Sequence, residues 1–388
     1  MESSRSMSIF HRFYVVFPLF LIIFALSGCS GQTGGTWPGL GSGEAPGQRS
    51  QADIASSPYG TDASMTPPPS TETGQAVKVA ILLPLSGSNA ALGQSMLQAA
   101  QLAVFELGYD TFELMPRDTA TGAGAAATSA VTSGAQVILG PVFAEDVRAV
   151  KAATASRGIN VIAYSTDWTL AGGNTYVMGF TPFGQVERIA AFAAQKGLRR
   201  AAVAAPADQY GLATAQSFED AAARSGMTIT RALSDANGYD SVFIPAGGDS
   251  LSSILMRVTN ANARKLGTGL WDDARVASNP AMNGAWFAAP SPRARASFES
   301  RYQATYGSTP VRLASLAYDS TALAIALAKS GGGQPFSAAS LTNPNGFSGV
   351  DGIVRFRRDG MAERGLAVME IRNGQVAEID PAPTSFQR

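Results

Sequence analysis

Between Val77 and Ala328, short apolar runs alternate with stretches of helical period, and this alternation restricts the chain to an α/β architecture. Val77 to Leu85 is a near-continuous apolar strand, the pattern of a strand covered on both faces. Ser86-Gly87-Ser88 breaks it. From Leu92 to Leu107, Met96, Leu97, Ala100, Ala103, Val104 and Leu107 recur at helical spacing, and Gly108 ends the helix. The cycle repeats. Strands are predicted at 112–115, 136–139, 161–164, 175–180 and 201–205, with helices at 125–132, 144–156, 183–195 and 211–224. Further on, the pattern predicts helices over 251–261, 293–306 and 316–328, and apolar runs at 268–271 and 286–289. Strands at 352–356 and 366–372 follow, with Asn373-Gly374 as the turn into a last one.

One interval resists this scheme. Ile229–Leu233 and Val242–Pro245 both have strand character, and only 234–241 lies between them. A parallel crossover takes about a dozen residues or more. The expectation is therefore that the two strands are antiparallel or that one lies outside the sheet.

Ahead of Val77 the chain has a different character. Arg5, His11 and Arg12 precede an apolar run from Phe13 to Ala25, and Leu26-Ser27-Gly28-Cys29 follows. This is the layout of a secretory signal with small residues before the cut, over residues 1–28. It resembles a bacterial lipobox, in which the cysteine is acylated and tethers the protein to a membrane. Residues 29–76 are rich in Gly, Ser, Thr and Pro, with too little apolar surface to order themselves, and are expected to form a disordered tether.

Absence narrows the function. Cys29 is the only cysteine and His11, inside the signal, the only histidine. A mature chain therefore has neither Ser-His-Asp nor Cys-His chemistry, and no His- or Cys-ligated zinc. Removing residues 1–28 leaves one more acid than base, so no basic field steers the protein toward nucleic acid. Gly122-Ala123-Gly124-Ala125-Ala126-Ala127 has the outline of a dinucleotide fingerprint, but the acid about 20 residues on is missing. Asp272-Asp273 suggests a solvated strand end rather than half a metal site. Catalytic residues, metal ligands and cofactors are not expected.

The matching motifs are spread over the whole body. They are Val79–Gly87 with Gly93; Val137–Pro141; Asp208–Gly211; Phe298–Tyr302 with Tyr306-Gly307 and Pro310; Ala317-Tyr318-Asp319; and Phe347–Gly352 with Phe356 and Gly360. In this order they resemble type 1 periplasmic binding proteins of the leucine/isoleucine/valine-binding kind. Gly173–Phe180 leading into Gln185–Ile189, together with the lipobox and tether, is similar to the binding-protein-like domain of outer-membrane activators of penicillin-binding proteins. The resemblance implies two Rossmann-like lobes with parallel sheets and a hinge. The first lobe would hold about 77–180 and 291–330, the second about 181–290 and 331–388.

It also implies a cleft at the carboxyl ends of the strands. Its candidate residues are Ser86, Ser88, Phe143, Ser165, Thr166, Asp167 and Trp168 from the first lobe, and Asp208, Tyr210 and Asp249 from the second. Asp167 falls where amino-acid binders usually carry threonine, and Glu145-Asp146 crowd the helix end that would receive a carboxylate. Two functions are implied. One is a non-enzymatic lipoprotein of the periplasm, held on the inner leaflet of the outer membrane, that activates a peptidoglycan synthase (a penicillin-binding protein) by contact. The other is a receptor that hands an amino acid or other small polar solute to an ABC permease.

Overall fold

The fold is given by a computed structural model that describes residues 76–330 and 333–386. The expected signal, Cys29 and the tether up to residue 75 lie outside the described residues.

The first half runs β1 (Val77–Leu83), α1 (Ala90–Leu107), β2 (Phe112–Asp118), α2 (Ala123–Thr132), β3 (Val137–Leu139), α3 (Ala144–Thr154), β4 (Asn160–Ala163) and β5 (Thr175–Val177). The strands form one sheet of order β2-β1-β3-β4-β5, parallel throughout. The unbroken apolar run of β1 has a direct physical reason. Val79, Ile81 and Leu83 enter one core with Met96, Leu316 and Ala324, while Ala80 and Leu82 enter another with Ala127, Ala130 and Val150. Successive side chains point to opposite faces, and both faces are covered. Each fully buried aliphatic side chain of this kind contributes about 1.5–3 kcal/mol.

The second half runs α4 (Pro182–Gln195), β6 (Arg200–Val203), α5 (Gln209–Arg224), β7 (Thr228–Thr230), β8 (Ser241–Phe243), α6 (Gly248–Leu255), β9 (Arg264–Gly267), α7 (Ala274–Ala277) and β10 (Trp286–Ala289). Then follow α8 (Pro292–Tyr306), α9 (Ala314–Lys329), α10 (Ala338–Leu341), β11 (Phe347–Gly349), β12 (Gly352–Phe356), β13 (Ala362–Arg364), β14 (Ala367–Arg372) and β15 (Gln375–Asp380). The second sheet has the order β15-β14-β10-β9-β8-β6-β7. It is parallel from β7 to β10 and antiparallel at β14 and β15. The turn joining the last two strands is Asn373-Gly374, both at positive φ, as a two-residue hairpin requires.

Three expectations need correction. First, β7 and β8 are both in the sheet and both parallel, on opposite sides of β6. Each is only three residues long, so the return path is short. The linker must cover about 10 Å of strand length and about 10 Å across two strand spacings, and about ten extended residues reach about 33 Å. Buried Tyr239 pins it, donating to the Leu233 carbonyl at 3.2 Å and accepting from the Asn260 amide at 3.1 Å.

Second, the helix expected to reach Ala261 ends at Leu255. Thr259 donates to the carbonyl of Leu233 and Asn260 to that of Tyr239, so both side chains are committed to the linker. The strand of this region is β9, and the apolar 268–271 run is a short 3₁₀ turn that sinks Trp271. The Trp271 indole donates to the Ala246 carbonyl at 2.9 Å.

Third, the segment after α9 does not go wholly to the second lobe. Phe336, Leu341, Val354 and Phe356 pack into the first core, and β11–β13 form their own small antiparallel sheet against it. The Val177 amide donates to the Gly360 carbonyl at 2.8 Å. The second lobe regains the chain only at Leu366 and β14. The chain thus passes between the sheets three times, at 178–181, 290–291 and 365–366.

Candidate ligand cleft

At the carboxyl ends of the strands a cleft of ≈ 670 Å³ opens between the two sheets. Its first-lobe wall is the turn after β4, and its second-lobe wall is the start of α5 with the 3₁₀ turn at 269–271. Strands end here because their carbonyls and the following helix N-termini must leave the sheet, which collects polar loops on one side.

Of the expected residues, Thr166, Asp167, Trp168, Asp208 and Tyr210 line this cleft. The other five do not. Ser165 is buried, and its hydroxyl accepts from the Asp167 amide at 3.1 Å. Ser86 donates to Asp118 at 2.6 Å, which holds the Asp118 carboxyl below its ordinary value. Ser88 is exposed beside it, and Phe143 caps α3 with its ring partly in solvent. Asp249 opens onto a separate cavity of ≈ 230 Å³ with Asp273 and Arg275.

Asp167 is fully engaged. Arg148 donates to Oδ2 at 2.8 Å, and Oδ1 accepts from the Thr169 amide at 3.1 Å and its hydroxyl at 2.6 Å. It caps the turn that carries Trp168. Trp168 itself meets Phe183 of α4 edge-on, with ring centroids 5.1 Å apart, and leans toward Tyr210 at 6.5 Å. It is therefore a contact between lobes and a wall of the cleft at once. Behind it lies a second cavity of ≈ 670 Å³. The charges there are mostly paired, Arg224 with Glu187 and Arg357 with Asp359.

Tyr210 shares a hydrogen bond with Thr268 at 3.0 Å, and burial pushes its phenol up, so it stays neutral. Asp208 caps α5, accepting on Oδ1 from the Gly211 amide at 2.7 Å. No hydrogen bond reaches its Oδ2 among the described residues.

Sequence reasoning missed Phe180, Gln185, Leu270 and Arg312 as lining residues, and read Asp272 only as a solvated strand end. Gln185 is buried on α4 and accepts from the Gly269 amide at 2.6 Å, tying the cleft floor to the turn above it. Gln185 belonged to a stretch singled out for its resemblance, which was the only signal available. At the first crossing, a Cβ on Gly179 would stand 2.1 Å from the Ser165 carbonyl oxygen, so the crossing strand lies directly on the cleft turn.

Arg312 belongs to a charge cluster under the crossings. Its guanidinium pairs with buried Asp351 at 3.0 Å and covers the Phe180 ring at 4.3 Å. Arg364 covers the same ring at 4.8 Å and donates to the Met178 carbonyl at 2.6 Å. Beside them Asp319 accepts from the Val350 amide at 2.7 Å. Burial, with the Asp351 charge adding to it, pushes the Asp319 carboxyl up to about 7.

The lining offers no nucleophile paired with a base, and no three His, Cys, Asp or Glu among the described residues converge on a metal position. A two-sheet α/β body with an open cleft at its strand ends, and a family match over residues 76–284, decide the family. The chain belongs to the periplasmic binding protein family. No curated protein matches the sequence.

Several solved structures share the fold. The C-domain of LpoA from Haemophilus influenzae, a regulator of PBP1A, aligns with a TM-score of 0.60 at 18% identity, over 78% of this chain and 99% of that one. An ABC transporter substrate-binding protein from Desulfitobacterium hafniense in complex with leucine aligns with 0.60 at 19%, over 79% and 100%. A solute-binding protein from Rhodopseudomonas palustris BisB5 in complex with 3,4-dihydroxybenzoic acid aligns with 0.57 at 16%, over 80% and 97%. These relatives are binding or regulatory proteins; at such identities the likeness is one of fold.

Proposed function

We propose that this chain is a non-enzymatic, lipid-anchored protein of the periplasm that regulates peptidoglycan synthesis by contact with a penicillin-binding protein. The observation that carries this reading is the state of the cleft. By the resemblance, Asp167 falls where amino-acid binders of the family usually carry threonine, and both its oxygens are spent on Arg148 and Thr169. Arg312, the sole lining cation, is paired with Asp351. Among the described residues that line the cleft, no unpaired cation therefore awaits the carboxylate of a free amino acid. The lipobox ending at Cys29 and the tether of residues 29–76 support an anchor in the inner leaflet of the outer membrane. The fold shared with the LpoA C-domain supports the kind of partner.

Addition of the pure domain should change the rate of a purified penicillin-binding protein recovered with it from solubilised membranes. Unchanged synthase rates, with no synthase recovered, would overturn the reading. A second reading, a solute receptor for an ABC importer, is favoured by one feature: a cleft of ≈ 670 Å³ is large enough for a small molecule. Amino acids, amides and short peptides should then raise the melting temperature by linkage.

A further inference from the structure

We propose that the cleft selects a small organic cation, an ammonium group carried on an apolar or aromatic body without a carboxylate. The inference rests on the cleft being a binding site, the second reading above.

Four ionisable groups other than Tyr210 line the cleft: Asp167, Asp208, Asp272 and Arg312. Two of them are neutralised on the spot, Asp167 by Arg148 and Arg312 by Asp351. Asp208 has no ion pair among the described residues, and its one hydrogen bond comes from the Gly211 amide. Asp272 pairs loosely with Arg295, whose Nη1 lies 3.8 Å away with no hydrogen-bond partner of its own, while its Nε is bonded to Glu299 at 3.0 Å. The lining is therefore net acidic: Asp208 is held only by the Gly211 amide at the start of α5, and Asp272 only by the loose pair with Arg295.

The walls between these acids are aromatic. Trp168 and Tyr210 incline toward each other from opposite lobes, with centroids 6.5 Å apart and planes 52° apart. An aromatic lining attracts an ammonium through the ring quadrupole, and carboxylates in a concave site add a net negative field. Leu270, 45% exposed at the rim, gives an apolar body somewhere to rest. A carboxylate ligand meets the reverse situation: like charge from Asp208 and Asp272.

The test titrates the full mature chain in detergent with phenethylamine, choline, leucine and benzoate, by calorimetry and by thermal melting. Phenethylamine and choline should bind and raise the melting temperature, with affinity falling as salt rises. Leucine and benzoate should bind at least about tenfold more weakly. D208N should lower cation affinity about tenfold. Asparagine is as good a helix cap as aspartate, so α5 keeps its start. D272N should act alike, and D249N, in the separate cavity, should leave binding unchanged. If leucine or benzoate binds as tightly as the amines, the ligand class is wrong while the cleft reading stands. Loss of all binding from the panel overturns this inference and the cleft reading together, and leaves the synthase contact to its own assay. Cation binding untouched by D208N and D272N overturns the assignment of the site.

Discussion

Asp319 is a buried acid with a titration out of its ordinary range. It is 4% exposed, it accepts from the Val350 amide, and Asp351 and Arg364 are the charges beside it. Its folded value of about 7 lies above the ordinary 3.8, so the folded chain holds the proton more tightly than the unfolded chain. The stability this confers is fully present below about pH 4 and is lost as pH rises through 7. Asp319→Asn, which keeps an oxygen for the Val350 amide, should flatten that fall. At pH 8 it should recover on the order of 2–4 kcal/mol relative to its effect at pH 4. Urea unfolding of both proteins at pH 4, 6 and 8 measures the difference, and parallel pH profiles would contradict the assignment.

At the scale of an element, the linker between β7 and β8 shows how a short connection is kept in place. It has no helix to lean on, so Tyr239 supplies the anchor by bonding Leu233 on one side and Asn260 on the other. Tyr239→Phe retains the ring in the core and removes both bonds. It should destabilise the second lobe by about 1–2 kcal/mol, seen as a shift of the urea midpoint. Increased hydrogen exchange should be confined to 231–240 and its contacts. Exchange spreading equally through both lobes would show that the linker is not held locally. The same reasoning explains why the pattern over 229–245 misled. Run length suggested two full strands, whereas the strands are three residues each and 231–233, the rest of the first run, belong to the linker.

In the whole molecule the chain crosses between the sheets three times, and the Trp168–Phe183 contact is a further bond between them. An aromatic pair of this geometry contributes about 0.5–1.5 kcal/mol beyond its buried area. Trp168→Ala should loosen the lobes without unfolding either. The expected signs are a larger radius of gyration in X-ray scattering and an unchanged environment for Trp271, which is fully buried in the second lobe. An unchanged scattering profile would mean that the crossings alone set the lobe geometry. Asp351 and Arg364 lie on the returning segment, and through Arg312 and the Phe180 ring they are in direct contact with the cleft wall.

The sequence by itself determined the class of the fold and most of the order of its elements; of the ten residues that the resemblance placed in the cleft, five line it. Periodicity within one element reports which faces that element buries, so β1 and α1 were legible from their own residues. The lone Cys29 and the lone His11 both lie ahead of residue 76, so the described residues contain neither type of side chain. Only the tertiary structure decided that 336–362 joins the first lobe, that β7 and β8 flank β6, and that Asp167 and Arg312 are already spent. The physical reason is distance along the chain. Arg312 and Asp351, or Trp168 and Tyr210, meet because two sheets and three crossings bring them together, and no local pattern in either segment encodes that meeting.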